Sequence, residues 1–234
     1  MNIITNETLI KRMGYIAQGS MIAGLVVLVA GMVLSFNDPA KYFTVSMVSL
    51  IVGFGLSQVG IHYGNKFGRP PRPNELINQA LKGMDRKNTL YHYMTPVPHL
   101  LVGPIGVWIL LTRHQRGRII FDNGRWKQKG GSLYLKIFAQ DSLGRVDVDL
   151  QSEREKILTF LKKHIPEAEL PPINAAVIFT NPNVTIDIPD DVNTGAVTVK
   201  ITDLKEILRK DNKNKQLTQE KIQQIIDLFP EESQ

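Results

Sequence analysis

Two charge-free runs separated by five residues constrain this chain more than any other feature in it. From Met13 to Phe36 it reads MGYIAQGSMIAGLVVLVAGMVLSF, 24 residues without a charged side chain. A helix rises about 1.5 Å per residue, so the run is long enough to cross a hydrocarbon core of about 30 Å. A second run, Tyr42 to Gly64, follows the turn Asn37-Asp38-Pro39-Ala40-Lys41. So short a connection predicts an antiparallel transmembrane hairpin within residues 1–64, with spans at 13–36 and 42–64. The rival for the first run is a cleaved signal peptide, since Lys11 and Arg12 resemble a positive n-region. The run exceeds a usual h-region, lacks an A-x-A site and is followed at once by another, so the hairpin is preferred.

Charge bias predicts the orientation. Lys11 and Arg12 precede the first span, Lys66, Arg69 and Arg72 follow the second, and the turn between them is neutral. Positive flanks stay inside, so a multi-pass protein of the cell (inner) membrane is expected, with both termini and the soluble part cytoplasmic. In the second span Ser46, Ser49, Gly53, Ser57, Gly60 and Gly64 line one helical face with small residues. Such a face lets another backbone approach closely. It either packs on the first span, where Ser20, Gly24 and Gly31 offer a match, or docks on another membrane subunit or a second copy. Gln58 and His62 lie near the cytoplasmic end, where they reach the interface, and take no transport role.

Beyond the hairpin, residues 65–73 (NKFGRPPRP) carry three prolines and three positive charges and form a stiff linker. NELINQALKGMDRKN then repeats Leu76, Ile77, Ala80, Leu81 and Met84 at helical spacing, predicting a helix to about Lys87. Strands are expected at 89–93, 97–102, 106–113, 118–121, 132–139 and 146–150. The run GVWILLTR, apolar on both faces, suits a central strand. A helix at 151–163, strands at 175–179 and 197–201, and helices at 203–210 and 218–229, the last capped by Thr218, complete the order. The expected fold is a transmembrane hairpin followed by a mixed α/β domain, one central sheet with flanking helices.

Glu75 to Ile119 holds NELINQALKGMD, VPHLLVGPIGVWILLTR and GRI, and INAAVIFTNPNVTI and VTVKITDLKEIL follow. This resembles the nuclease-related domain (NERD), an offshoot of the PD-(D/E)xK nuclease fold, over residues 74–210, with 211–234 left as a C-terminal helix and tail. The resemblance implies an aspartate before the LLVGP-like strand and a Glu-x-Lys at the end of the next, which in that superfamily hold a divalent metal and activate water. Those positions carry Pro98, Leu111 and Arg113. Only Glu75 matches an acidic position, and it doubles as the ordinary first-turn acid of a helix. Magnesium held by a single carboxylate is held weakly. The resemblance therefore implies the fold and argues against the activity; no cofactor or metal is expected.

Other chemistry is sparse. The chain has no cysteine, which excludes disulfides, thiolate metal sites and a cysteine nucleophile. His62, His92, His99, His114 and His164 show no metal-binding spacing and are expected to be structural or at the surface; no phosphate-binding glycine loop occurs. The formal charge of +6 is concentrated in Arg113, Arg116, Arg118, Arg125, Lys127, Lys129 and Lys136, opposed within that stretch by Asp122 alone. A turn at Asp122-Asn123-Gly124 suits a hairpin projecting several of these cations, either simply solvated or attracted to phosphates, with membrane lipid favoured over nucleic acid. Three function classes follow: a non-catalytic accessory or scaffold subunit of a membrane complex, which is preferred; a nucleic-acid or anionic-lipid binding module; and an active metal-dependent nuclease with relocated ligands.

Overall fold

A computed structural model describes residues 1–130, 142–189, 192–211 and 217–229. The chain forms two compact units, a helical pair over Glu7–Arg72 and a second unit joining Met1–Asn6 to the residues from Pro73 onward.

The helical pair consists of α1 (Glu7–Asn37) and α2 (Pro39–Tyr63). Both overrun the charge-free runs, because lack of charge marks the apolar length and not the helix ends. Glu7 sits favourably in the first turn of α1, and only Asp38 is left between the helices. Its carboxylate accepts from the Lys41 backbone N–H at 3.1 Å, and Pro39 opens α2, so the turn is a capped helix start. At the other end the backbone winds on through a π turn, Gly64–Gly68, before the prolines stop it, so the expected linker begins as helix. Both helices are long and apolar enough to cross a membrane. Nineteen of the twenty-two exposed large hydrophobic side chains among the described residues lie between Tyr15 and Val59, which no soluble core helix would show.

In the second unit a six-stranded mixed sheet runs in the order β1-β2-β3-β4-β7-β9. Its strands are β1 (Asn2–Thr5), β2 (Thr89–His92), β3 (His99–Gly103), β4 (Gly106–Arg113), β7 (Ile173–Phe179) and β9 (Val197–Lys200). Strands β2, β3 and β4 are antiparallel neighbours, while β1 on β2, β7 on β4 and β9 on β7 are parallel. As expected of GVWILLTR, β4 is central, and alternate side chains feed two cores. Val107, Ile109 and Leu111 pack with Leu150, Ile157 and Leu161 of α4 (Val146–Lys162) and Ile222 and Ile225 of α6 (Gln219–Ile226). Trp108 and Leu110 pack on the other face with Ile77 of α3 (Pro73–Ala80) and Leu204 and Leu208 of α5 (Leu204–Asp211).

The second unit departs from expectation in several further places. A separate three-stranded sheet, β6-β5-β8, stands beside the main one where a single sheet was expected. It comprises β5 (Gly117–Asp122), β6 (Arg125–Lys129) and β8 (Val184–Asp187). Residues 146–150 are helical, because VDVDL reads as alternation locally but Val146, Leu150, Ile157 and Leu161 form one buried stripe at helical spacing. Helix α3 ends at Ala80, seven residues early, and the chain turns at Gly83 with φ of +80°. Strand β1 was not anticipated at all. The strand expected at 132–139 lies outside the described residues.

Candidate functional site

Pro98, Leu111 and Arg113 stand at the positions where the resemblance implies nuclease residues. Pro98 is exposed just ahead of β3, its carbonyl accepting from the Tyr93 N–H at 2.8 Å. Leu111 is buried in the α4-side core. Arg113 ends β4 and folds inward, its side chain 15% exposed, where it donates to Asp149 of α4. Burial lowers the Arg113 pKa, opposed by Asp149 and Glu153, and a guanidinium remains charged throughout. Glu75 lies in the first turn of α3, partly buried. Among the described residues no three His, Asp or Glu side chains cluster to hold a metal. Asp149, the carboxylate that Arg113 reaches, is occupied by that guanidinium.

The basic stretch folds into the β5–β6 hairpin. Arg118 pairs with Lys129, Ile120 with Lys127 and Asp122 with Arg125, so these six share a face, with Asp187 beside Ile120 on β8. Trp126 points into the core from the opposite face. Lys127 donates to Asp122 at 2.6 Å and Arg118 to Asp187. The bond from Lys127, with Lys129 nearby, holds the Asp122 carboxyl below its usual range. Four cations thus face two carboxylates. Arg116 is partly buried ahead of β5, its carbonyl accepting from Gln128 at 2.8 Å, and Lys136 lies outside the described residues. The local charge excess read from the sequence is therefore diluted by Asp149, Glu153 and Asp187, which sequence proximity could not reveal.

Two open grooves of about 310 and 470 Å³ flank residues 193–195, with Arg154 between them tied to the Gly195 carbonyl. Among the described residues, Arg154 and Asp147 are the only acidic or basic side chains lining them.

The feature that sequence inspection missed is a buried histidine pair. His92 of β2 and His99 of β3 are register partners, fully buried beneath α3. Their Nδ1 atoms are 2.8 Å apart, and His92 Nε2 donates to Asn78 Oδ1 at 2.9 Å. That bond leaves His92 Nδ1 as an acceptor, so His99 Nδ1–H is the donor of the pair. Burial pushes the His92 pKa down to about 4, and burial with the neighbouring His92 pushes His99 well below its ordinary value. Both rings are neutral at physiological pH. A seven-residue spacing across two expected strands was the available signal.

In the helical pair Ser46, Ser49, Gly53, Ser57, Gly60 and Gly64 are buried or half-buried. Ser46 donates to the Gly31 carbonyl at 3.0 Å, and Gly24 lies against Gly53 and Ser57. From Ser46 to Gly60 this face is turned to α1, whereas a Cβ on Gly64 would meet nothing within 4 Å. Compared with known families, curated proteins and solved structures, the chain matches no family model, no curated protein and no solved structure.

Proposed function

We propose that this chain is a membrane-anchored, NERD-like protein whose nuclease-like domain is non-catalytic and acts as an accessory or scaffold subunit of a membrane complex. The observation that carries this reading is the set Pro98, Leu111 and Arg113, which offers no side-chain oxygen, with Arg113 committed to Asp149. In its support, the segments that carry the resemblance form one unit: the helix of Glu75, the β3–β4 hairpin, β7 beside β4, and β9 with α5.

Anchoring is supported by the apolar surface of the helical pair and by β1. Because β1 precedes the pair while its sheet neighbour β2 follows it, a chain that crosses a bilayer must cross an even number of times, as two spans do. Lys11, Arg12, Lys66, Arg69 and Arg72 favour a cytoplasmic placement. Protease added to sealed, right-side-out cells is expected to leave the soluble domain intact, and digestion from outside would reverse the orientation. With the small-residue face from Ser46 to Gly60 taken up by α1, a further subunit would dock on the α/β domain.

The full-length protein with Mg²⁺ or Mn²⁺ is expected to leave DNA and RNA uncut and to leave its membrane, under gentle extraction, with a second protein or a second copy. Cleavage that Glu75→Ala abolishes would revive the active nuclease. A chain that runs alone as a monomer in several mild detergents would count against the scaffold role.

A further inference from the structure

The aromatic residues of the helical pair measure its apolar thickness. On α1, Tyr15 and Phe36 are 21 residues apart; on α2, Tyr42 and Tyr63 are also 21 apart. At the helical rise each interval is about 32 Å, close to a hydrocarbon core of about 30 Å. Tyrosine favours the membrane–water boundary, where its ring is apolar and its hydroxyl stays wet. Tyr63 stacks on Phe67 at 6.4 Å, thickening the belt at one end, while Tyr42 lies under the Lys41 ammonium at 5.2 Å at the other.

The two ends differ in charge. Arg12 precedes Tyr15 by three residues and Lys66 follows Tyr63 by three, so both lie about 5 Å outside the aromatic level. That is the depth of the lipid phosphates. The helix ends adjoin, since a Cβ placed on Gly14 would lie 3.7 Å from the Phe67 carbonyl and one on Gly68 would lie 4.0 Å from the Ala17 Cβ. Lys11, Arg12, Lys66 and Arg69 are exposed or half-buried there, Arg72 follows, and Glu7 is the only acid of this unit at that end. At the opposite end Lys41 and Asp38 cancel.

We infer that the end of the helical pair bearing Lys11, Arg12, Lys66 and Arg69 is a binding surface for anionic phospholipid headgroups. The inference rests on the membrane-spanning reading and adds a ligand to it. Cations fixed at phosphate depth attract lipids of net negative charge over zwitterionic ones of the same chain length, and salt weakens the attraction. The β5–β6 hairpin, with half of its outward charge neutralised, is the weaker candidate for the same chemistry.

The test uses the full chain reconstituted in phosphatidylcholine, with spin-labelled phosphatidylglycerol or phosphatidylcholine as probe, and reads the motionally restricted fraction of each. Phosphatidylglycerol is expected to be selected at low salt, with roughly a fivefold loss of its association constant per cation removed. Lys66→Gln/Arg69→Gln leaves Lys11 and Arg12 to hold the orientation and should lose part of the selectivity. Adding Lys11→Gln and Arg12→Gln should lose most of the rest, Arg72 alone remaining at that end, whereas Arg125→Gln/Lys129→Gln should keep it all. An inserted parent chain without selectivity, or selectivity lost only in the Arg125/Lys129 variant, would overturn the inference. Glycerophosphate that competes the lipid away at millimolar concentration would also overturn it, by showing a site for soluble phosphate. If alkaline carbonate strips the parent chain from the bilayer, the membrane reading falls, and this inference with it.

Discussion

Gly60→Leu should prise the helical pair apart while leaving the α/β domain folded. A Cβ on Gly60 would stand 2.4 Å from Met21 Cγ and 3.0 Å from the Ala17 carbonyl oxygen. The methionine can swing away, but the backbone carbonyl of α1 cannot. Gly53→Leu meets the same obstacle at the Gly24 carbonyl, 3.0 Å away, with Leu28 Cγ at 2.5 Å. Forcing a side chain into a closed contact costs about 1–3 kcal/mol. In lipid no hydrophobic drive opposes separation, so packing of this kind is most of what holds two helices together. Gly55, where an added Cβ would meet nothing within 4 Å, supplies the control. The chain has no cysteine, so Arg12→Cys/Lys66→Cys can be spin-labelled specifically and the distance between the helix ends measured. Gly60→Leu and Gly53→Leu should lengthen and broaden that distance and Gly55→Leu should not; an unchanged distribution in all three would show that the small residues do not hold the pair together.

The helical pair was legible because one property, the absence of charge over a length that matches a bilayer, is local and needs no tertiary information. The occupant of its small-residue face was not, because spacing shows that a backbone comes close without showing whose. The glycines separate by contact: Gly53 and Gly60 close against α1, and Gly55 stays open. In the α/β domain the same division holds. GVWILLTR declared a strand covered on both faces, and the structure places it at the centre of the sheet. Asn2–Thr5 could not be read as a strand, because four residues carry no periodicity of their own and their partner begins at Thr89. The four-residue strand β8 escaped for the same reason, its partner β5 lying more than sixty residues earlier, whereas the β5–β6 hairpin was announced by its turn at Asp122-Asn123-Gly124.

The candidate site was legible in composition and not in pairing. Arg113 and Arg118 belong to a stretch that looks strongly basic, yet their counter-charges, Asp149 and Asp187, lie 36 and 69 residues further on. Counting charge along the chain therefore overstated what the hairpin can offer an anionic surface. The histidines were missed for a related reason: spacing rules for metal ligands look along one element, whereas His92 and His99 meet across two strands. Burial keeps both rings neutral, and for His99 the neighbouring His92 adds to it.

That neutrality predicts a domain that weakens in acid. An unfolded histidine takes up a proton near pH 6.5, whereas His92 in the folded chain resists until about 4. Above pH 6.5 both states are neutral and the pair contributes no pH dependence. As the pH falls from 6.5 to about 4, the unfolded state binds a proton that the folded state refuses, so stability is lost across that window and levels off below it for His92. A shift of this size corresponds to about 3 kcal/mol, a large part of a typical domain's stability of about 5–15 kcal/mol. His99, also lowered, adds to the loss in the same direction. Trp108 and Trp126, the only two tryptophans, both lie in the α/β domain, so their fluorescence during denaturant unfolding of the detergent-solubilised chain reports on that domain alone. The midpoint should drop steeply between pH 6.5 and 4, more than carboxylate titration gives in a variant lacking the pair. His92→Leu/His99→Leu removes both rings together, at the cost of leaving Asn78 Oδ1 without its donor, and should lower stability at pH 7.5 while flattening the decline over the same window. A parent and double variant with parallel pH profiles would show that the two imidazoles are not held neutral by their burial.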